Sequence, residues 1–170
     1  MTPAHILGPT GGEAVDLAGV GVRFLIDGAR SGGGFALVEH PIGPRTLGSP
    51  VHTHRREDEY SFVLEGRVGF ELGDDVLEAE PGDLVFKPRA VPHAFWNATD
   101  QPARFLEIIS PPGFEHYFAE AAPLFNPAGP DMAAFAALCE RYELEMDFDS
   151  LPRLIAEHGL TPPPETELAP

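Results

Sequence analysis

His52 and His54 are two residues apart in the run Val-His-Thr-His, so on an extended strand both imidazoles point to the same face. Glu59 follows beyond a polar stretch, Arg55, Arg56, Glu57 and Asp58, that is able to turn the chain and bring a carboxylate back to that side. His93 lies some forty residues further on, behind Val91-Pro92 at the start of another strand. In a closed barrel, strands that far apart in sequence face each other across the interior. Three imidazoles and one carboxylate suit one divalent transition-metal ion, whether iron, manganese, nickel, cobalt, copper or zinc, because donor types alone do not choose among these metals. An ion held by four such donors keeps one or two positions for water, oxygen or substrate when its coordination expands to about five or six. Such an open metal position suggests catalysis. Glu57 and Asp58 compete with Glu59 for the carboxylate position. The remaining histidines, His5, His40, His116 and His158, fall outside the pattern and read as surface or packing residues.

These residues need strands to carry them. Short apolar or alternating runs at 22–26, 35–39, 60–64, 68–72, 76–79, 84–87, 93–97 and 105–109 read as eight strands. Between them stand turn signals such as Gly32-Gly33-Gly34, Glu65-Gly66, Gly73-Asp74-Asp75 and Glu80-Pro81-Gly82-Asp83. Many short strands with no helices between them point to a mainly β jelly-roll barrel, not a βαβ fold. After Pro111-Pro112 the spacing becomes helical, and helices are expected at 114–122, 131–142 and 151–158. Asp131 and Ser150 suit the N-caps of the last two, and Gly159 suits a left-handed C-terminal cap. The chain therefore reads as one domain: a β core over 1–110, a helical extension packed on it over 111–160, and a Pro-rich tail over 161–170.

The spacing around the four candidate ligands carries more than they do singly. It runs Gly48-Ser49-Pro50-Val51-His52-Thr53-His54, four residues, Glu59, six residues, Gly66. After a gap of fifteen residues (67–81) it resumes as Gly82, five residues, Pro88-Arg89-Ala90-Val91-Pro92-His93, three residues, Asn97. This closely resembles the two motifs of the cupin superfamily, over roughly 35–118, about half of the chain. The resemblance implies a jelly-roll barrel with one metal bound by His52, His54, Glu59 and His93. It also implies a homodimer, for which Trp96, on the strand face opposite His93, offers an apolar contact either to a second copy or to the C-terminal helices. Two positions depart from the pattern. Thr46 stands where the first motif usually opens with glycine, and Ala90 stands where the second usually has glycine, so the turn at Ala90 is expected to avoid positive φ.

Acidic residues outnumber basic ones by 27 to 11, a formal charge of -16, which repels phosphate backbones and anionic lipid surfaces and speaks against nucleic acid or membrane as a partner. With no apolar run of spanning length and no secretory pattern at the start, a cytoplasmic protein is the simplest expectation. Cys139 has no partner for an internal disulfide. Around the metal, Ser61, Val63 and Phe95, with Phe70, Phe86 or Leu106, are expected to line an apolar cavity for an apolar or aromatic small molecule. The stretch through Glu57-Asp58-Glu59-Tyr60-Ser61-Phe62-Val63-Leu64-Glu65-Gly66, with Pro111-Pro112-Gly113-Phe114-Glu115-His116-Tyr117-Phe118, is most similar to the quercetin dioxygenase-like cupins. That resemblance implies oxygen-dependent cleavage of an enolisable, flavonol-like aromatic, with Glu59 receiving the substrate proton. A non-oxidative metal-dependent cyclase or isomerase, and a non-catalytic small-molecule-binding cupin, are the alternatives.

Overall fold

The computed structural model describes residues 6–17, 19–126 and 129–162; His5 and most of the expected tail, 163–170, lie outside them. The strands begin with β1 (Ala14–Leu17), β2 (Val20–Ile26), β3 (Ala36–Ile42), β4 (Thr46–Leu47) and β5 (Val51–His54). They continue with β6 (Asp58–Glu65), β7 (Val68–Leu72), β8 (Asp75–Ala79), β9 (Leu84–Lys87), β10 (His93–Asn97) and β11 (Ala103–Ser110). Beyond them lie α1 (Glu115–Ala121), the small hairpin β12 (Phe125–Asn126) and β13 (Gly129–Pro130), then α2 (Met132–Arg141), β14 (Leu144–Asp147) and α3 (Leu151–His158).

Two antiparallel sheets face each other. One has the order β1-β2-β3-β11-β6-β9 and the other β14-β5-β10-β7-β8, with β4 also pairing with β10. The alternating patterns explain the layers. On β6, Glu59, Ser61 and Val63 point inward while Tyr60, Phe62 and Leu64 are more exposed, and on β11 the inward set is Ala103, Phe105, Glu107 and Ile109. Val63, Phe70, Phe95 and Phe105 form the apolar filling between the sheets. A second cluster, including Val22, Val38, Phe114, Tyr117, Phe135 and Leu138, joins one end of the layers to α1 and α2.

The mainly β, jelly-roll expectation holds, but the sheets do not close into a continuous barrel. Each retains edge strands, and the chain crosses between sheets at corners rich in Gly and Pro, as at Pro81-Gly82 between β8 and β9, where no ladder bridges the layers. All three helices form where the spacing predicts them. Asp131 caps α2 by accepting from the Ala134 amide at 3.0 Å, and Gly159 ends α3 at φ 62°. Ser150 departs from its expected role: its hydroxyl donates to the Asp147 carbonyl and accepts from the Val51 amide, tying the start of α3 to β5 instead of capping the helix. The region after residue 110 is also less purely helical than expected, because β14 joins the sheet beside β5.

Ala90 overturns a second expectation. Its φ is 62°, in the left-handed region, with its amide donating to the His54 carbonyl at 2.7 Å, so the turn keeps the conformation a glycine would favour and bears the strain of a Cβ. At Gly48 the demand is steric, since an added Cβ would lie 2.0 Å from the Phe95 ring. Among the described residues no helix is long and apolar enough to cross a membrane.

Candidate metal centre

β5 carries His52 and His54 on one face, and β10 pairs with it so that His93 is the direct partner of His52. Glu59 comes from β6 on the opposite sheet. The polar stretch before it makes the expected bend, and the four residues meet between the layers, all buried, each with one ligand atom within 4.8 Å of the others. Ring centroids are 4.2 Å apart for His52 and His93, 5.1 Å for His52 and His54, and 5.4 Å for His54 and His93.

The outer nitrogens explain how the rings are aimed. His52 Nδ1 lies 3.0 Å from the Pro50 carbonyl and His93 Nδ1 3.0 Å from that of Val91, so each donates outward and leaves Nε2 with its lone pair toward the centre. His93 Nε2 is 3.2 Å from Glu59 Oε2, and His54 Nε2 is 3.5 Å from Glu59 Oε1. Neither nitrogen of His54 has a hydrogen-bond partner, nor does Glu57 Oε2, 3.8 Å from His54 Nδ1. Buried donor atoms left unsatisfied are costly in a packed interior. Ligation at Nε2 would satisfy the inner one, with Glu57 placed to orient the ring from outside. The residues therefore fit a divalent ion, as His52, His54, Glu59 and His93 were expected to do.

Of the competing carboxylates, Asp58 is turned outward and paired with Arg89 at 2.8 Å. Burial, with charge repulsion from His93 and His54, holds His52 well below the ordinary imidazole range, and burial likewise lowers His93, so both present neutral nitrogens at neutral pH. Burial alone would push the Glu59 carboxyl up. Interactions with His54, Lys87 and His93 outweigh it and hold Glu59 well below the ordinary carboxylate range.

Lys87 and Glu107 were missed as site residues. Lys87, the cross-strand partner of Glu59, has its ammonium 2.8 Å from Glu59 Oε2 and 2.6 Å from Glu107 Oε2, and Ser61 donates to both oxygens of Glu107. Burial opposes the Lys87 charge, but the two carboxylates raise its pKa above the ordinary value. Burial pushes the Glu107 carboxyl up to about 8, against the opposing pull of Lys87. The signal was in the sequence: Lys87 shares its strand parity with Val85, and Glu107 shares its parity with Phe105 and Ile109, so each is a charge in an apolar row.

Of the expected cavity residues, Ser61, Val63, Phe70 and Phe95 point into the interior. Phe86 is 49% exposed, and Leu106 lines a groove of about 710 Å³ on the outer face of its sheet with Leu25 and Leu37. Both lie on the outward parity of their strands, which corrects their assignment. His40 is an inward packing residue among Phe95, Phe105 and Phe118, while His116 is exposed. Asn97 secures the turn after β10, donating to the Gly43 and Gln101 carbonyls at 2.9 and 2.8 Å and accepting from the Thr99 amide.

With this geometry in view, the comparisons with known proteins are informative. The sequence profile described as the cupin domain matches residues 39–109, which include all four ligands. The likeness supports a place in the cupin superfamily. An uncharacterized protein of Methanocaldococcus jannaschii is 32% identical over 72 residues, 42% of this chain and 55% of that protein, so the match spans about half of the relative's length. Among solved structures, the polyketide cyclase RemF of Streptomyces resistomycificus is 32% identical with a TM-score of 0.54, over 64% of this chain and 78% of RemF. KdgF from Halomonas sp. aligns with a TM-score of 0.59 at 16% identity, over 67% of this chain and 99% of KdgF, a likeness of fold alone.

Proposed function

We propose that this chain is a metal-dependent enzyme that enolises an apolar or aromatic small molecule, with Glu59 as the proton acceptor. The observation that carries this reading is the meeting of three inward imidazoles from one sheet with a single ionised carboxylate from the other. When bound, a divalent ion supplies a Lewis acid for a substrate oxygen. His52, His54 and His93 hold their nitrogens ready for it without rearrangement, because carbonyl hydrogen bonds fix two of the rings and Phe114 packs edge-on against the third at 4.2 Å. Glu59, kept ionised although buried, takes the proton next to the polarised carbonyl. Phe70, Phe95 and Phe105 provide the apolar surroundings that favour an aromatic substrate.

Two outcomes follow from an enolised substrate, ring closure or isomerisation without oxygen, and oxygen-dependent cleavage. The likeness to a polyketide cyclase at 32% identity favours the first. The motif resemblance to quercetin dioxygenase-like cupins supports the second. An oxygen electrode and product mass separate them when the metal-loaded protein is given aromatic polyketide-like and flavonol substrates. Turnover with no oxygen uptake, and a product that has kept its mass or lost water, is the expected result. Stoichiometric uptake with a mass gain of two oxygen atoms would move the assignment to a dioxygenase. Binding without turnover of either substrate class would leave the non-catalytic reading.

A further inference from the structure

Lys87 occupies an unusual position: an ammonium between two carboxylates in the space between the sheets, with about 1% of its side chain exposed and its charge 5.7 Å from the centre of the Phe95 ring. Stability does not account for it. An apolar side chain of similar volume would fill the same space without desolvating a charge, and such replacements of buried ion pairs are often neutral or stabilising. Lys87 is instead placed to act on Glu59. Its Nζ is anchored at 2.6 Å by Glu107, which Ser61 fixes in turn, and it reaches Glu59 Oε2 at 2.8 Å from the neighbouring strand β9. The other oxygen, Oε1, faces His54 Nε2 at 3.5 Å, and Oε2 also has His93 Nε2 at 3.2 Å.

We propose that Lys87, anchored by Glu107, is a positioning residue that holds one lone pair of Glu59 Oε2 and limits this carboxylate to binding a divalent ion through Oε1, leaving the second lone pair of Oε2 to accept the substrate proton. A cation seated on one oxygen repels a second cation from it, and at this depth the repulsion is little screened by water. The ligand carboxylate then takes up one coordination position instead of two, which keeps a position for substrate.

The inference rests on the metal reading of the four ligands, and a titration of the full chain with Co2+, followed by calorimetry and visible absorption, tests the two separately. Lys87→Met frees Oε2 and removes a positive charge beside the ion. It should bind Co2+ about tenfold more tightly or better, as the loss of nearby like charge requires. Its absorption per cobalt should also be weaker than that of the wild type, as expected when the coordination number rises. Lys87→Met/Glu107→Gln keeps an oxygen for Ser61 and leaves no unpaired buried charge, so it decides the matter if the single variant does not fold. Variants with the wild-type spectrum, or with unchanged or weaker affinity, would overturn the positioning role. A wild type that takes up no Co2+ would overturn the metal reading as well.

Discussion

At the scale of single residues, the ligand and base roles proposed for Glu59 can be separated. Glu59→Gln keeps an oxygen donor but removes the charge and basicity, so it should retain a good part of its metal and lose about 100-fold or more of its activity. His93→Ala deletes an imidazole that is 1% exposed and should lose metal first, with activity following. Metal content and turnover measured on the same preparations check both, and near-normal turnover in Glu59→Gln would place proton abstraction elsewhere. His40 gives a prediction in pH. Burial, opposed by its hydrogen bond to the Gly21 carbonyl, lowers its pKa from 6.5 to about 4. Between these values the unfolded chain binds the proton and the folded one does not, so stability falls as pH drops through this window, by at most about 3 kcal/mol for this group. His52 and His93 act in the same direction in metal-free protein. Urea denaturation of the wild type and His40→Gln at pH 7 and pH 4.5 isolates the His40 share. Equal losses in the two proteins would exclude it.

At the scale of elements, the segment after β11 is part of the site's support. β14 pairs with β5 so that Leu144 lies opposite His54 and Met146 opposite His52, and Ser150 ties α3 to Val51. The outer face of β10 is covered by the same region: Trp96 stacks on His158 with centroids 3.8 Å apart, and Leu154 and Leu160 pack beside it. Of the two roles expected for Trp96, the structure assigns it contact with the C-terminal helices. Leu154 is fully buried in this cluster, so Leu154→Ala should destabilise the protein by about 2–5 kcal/mol, the usual range for such a cavity. Because Trp96 is the single tryptophan, its fluorescence reports the same event. A red shift at a denaturant concentration where the wild type remains folded is expected, and an unchanged midpoint would show that α3 contributes little to holding β10.

At the scale of the whole molecule, a homodimer remains the expectation, although Trp96 is not free to make it. Phe62, Leu84 and Phe86 are exposed together on the outer face of β6 and β9, at one edge of the six-stranded sheet, and the second copy is proposed to cover them. Light scattering should give about twice the chain mass of 18.3 kDa, and Phe62→Glu/Phe86→Glu should shift it to the monomer. A wild-type monomer at working concentration would reject the dimer. A double variant that stays dimeric would reject this face.

The four residues that meet in the candidate metal cluster, the jelly-roll class and the three C-terminal helices were legible in the sequence because each rests on local periodicity or on motif spacing. His52 and His54 share a face by strand parity alone, and the Ala and Leu spacing of α2 needs no distant partner to be read. Other features depend on which strands become neighbours. That Phe86 and Leu106 face outward, that β14 pairs with β5, and that the sheets keep their edges follow from register and chain crossings between segments far apart in sequence. Ala90 shows the limit at a single residue: its side chain suggests an ordinary backbone, but the hydrogen bond from its amide to His54 holds it at positive φ. Lys87 shows it for charge. As one residue in an apolar strand it reads as an exception, and only the pairing of β6 with β9 and β11 brings Glu59 and Glu107 to either side of its ammonium, pairing a buried cation with the carboxylate of the candidate metal site.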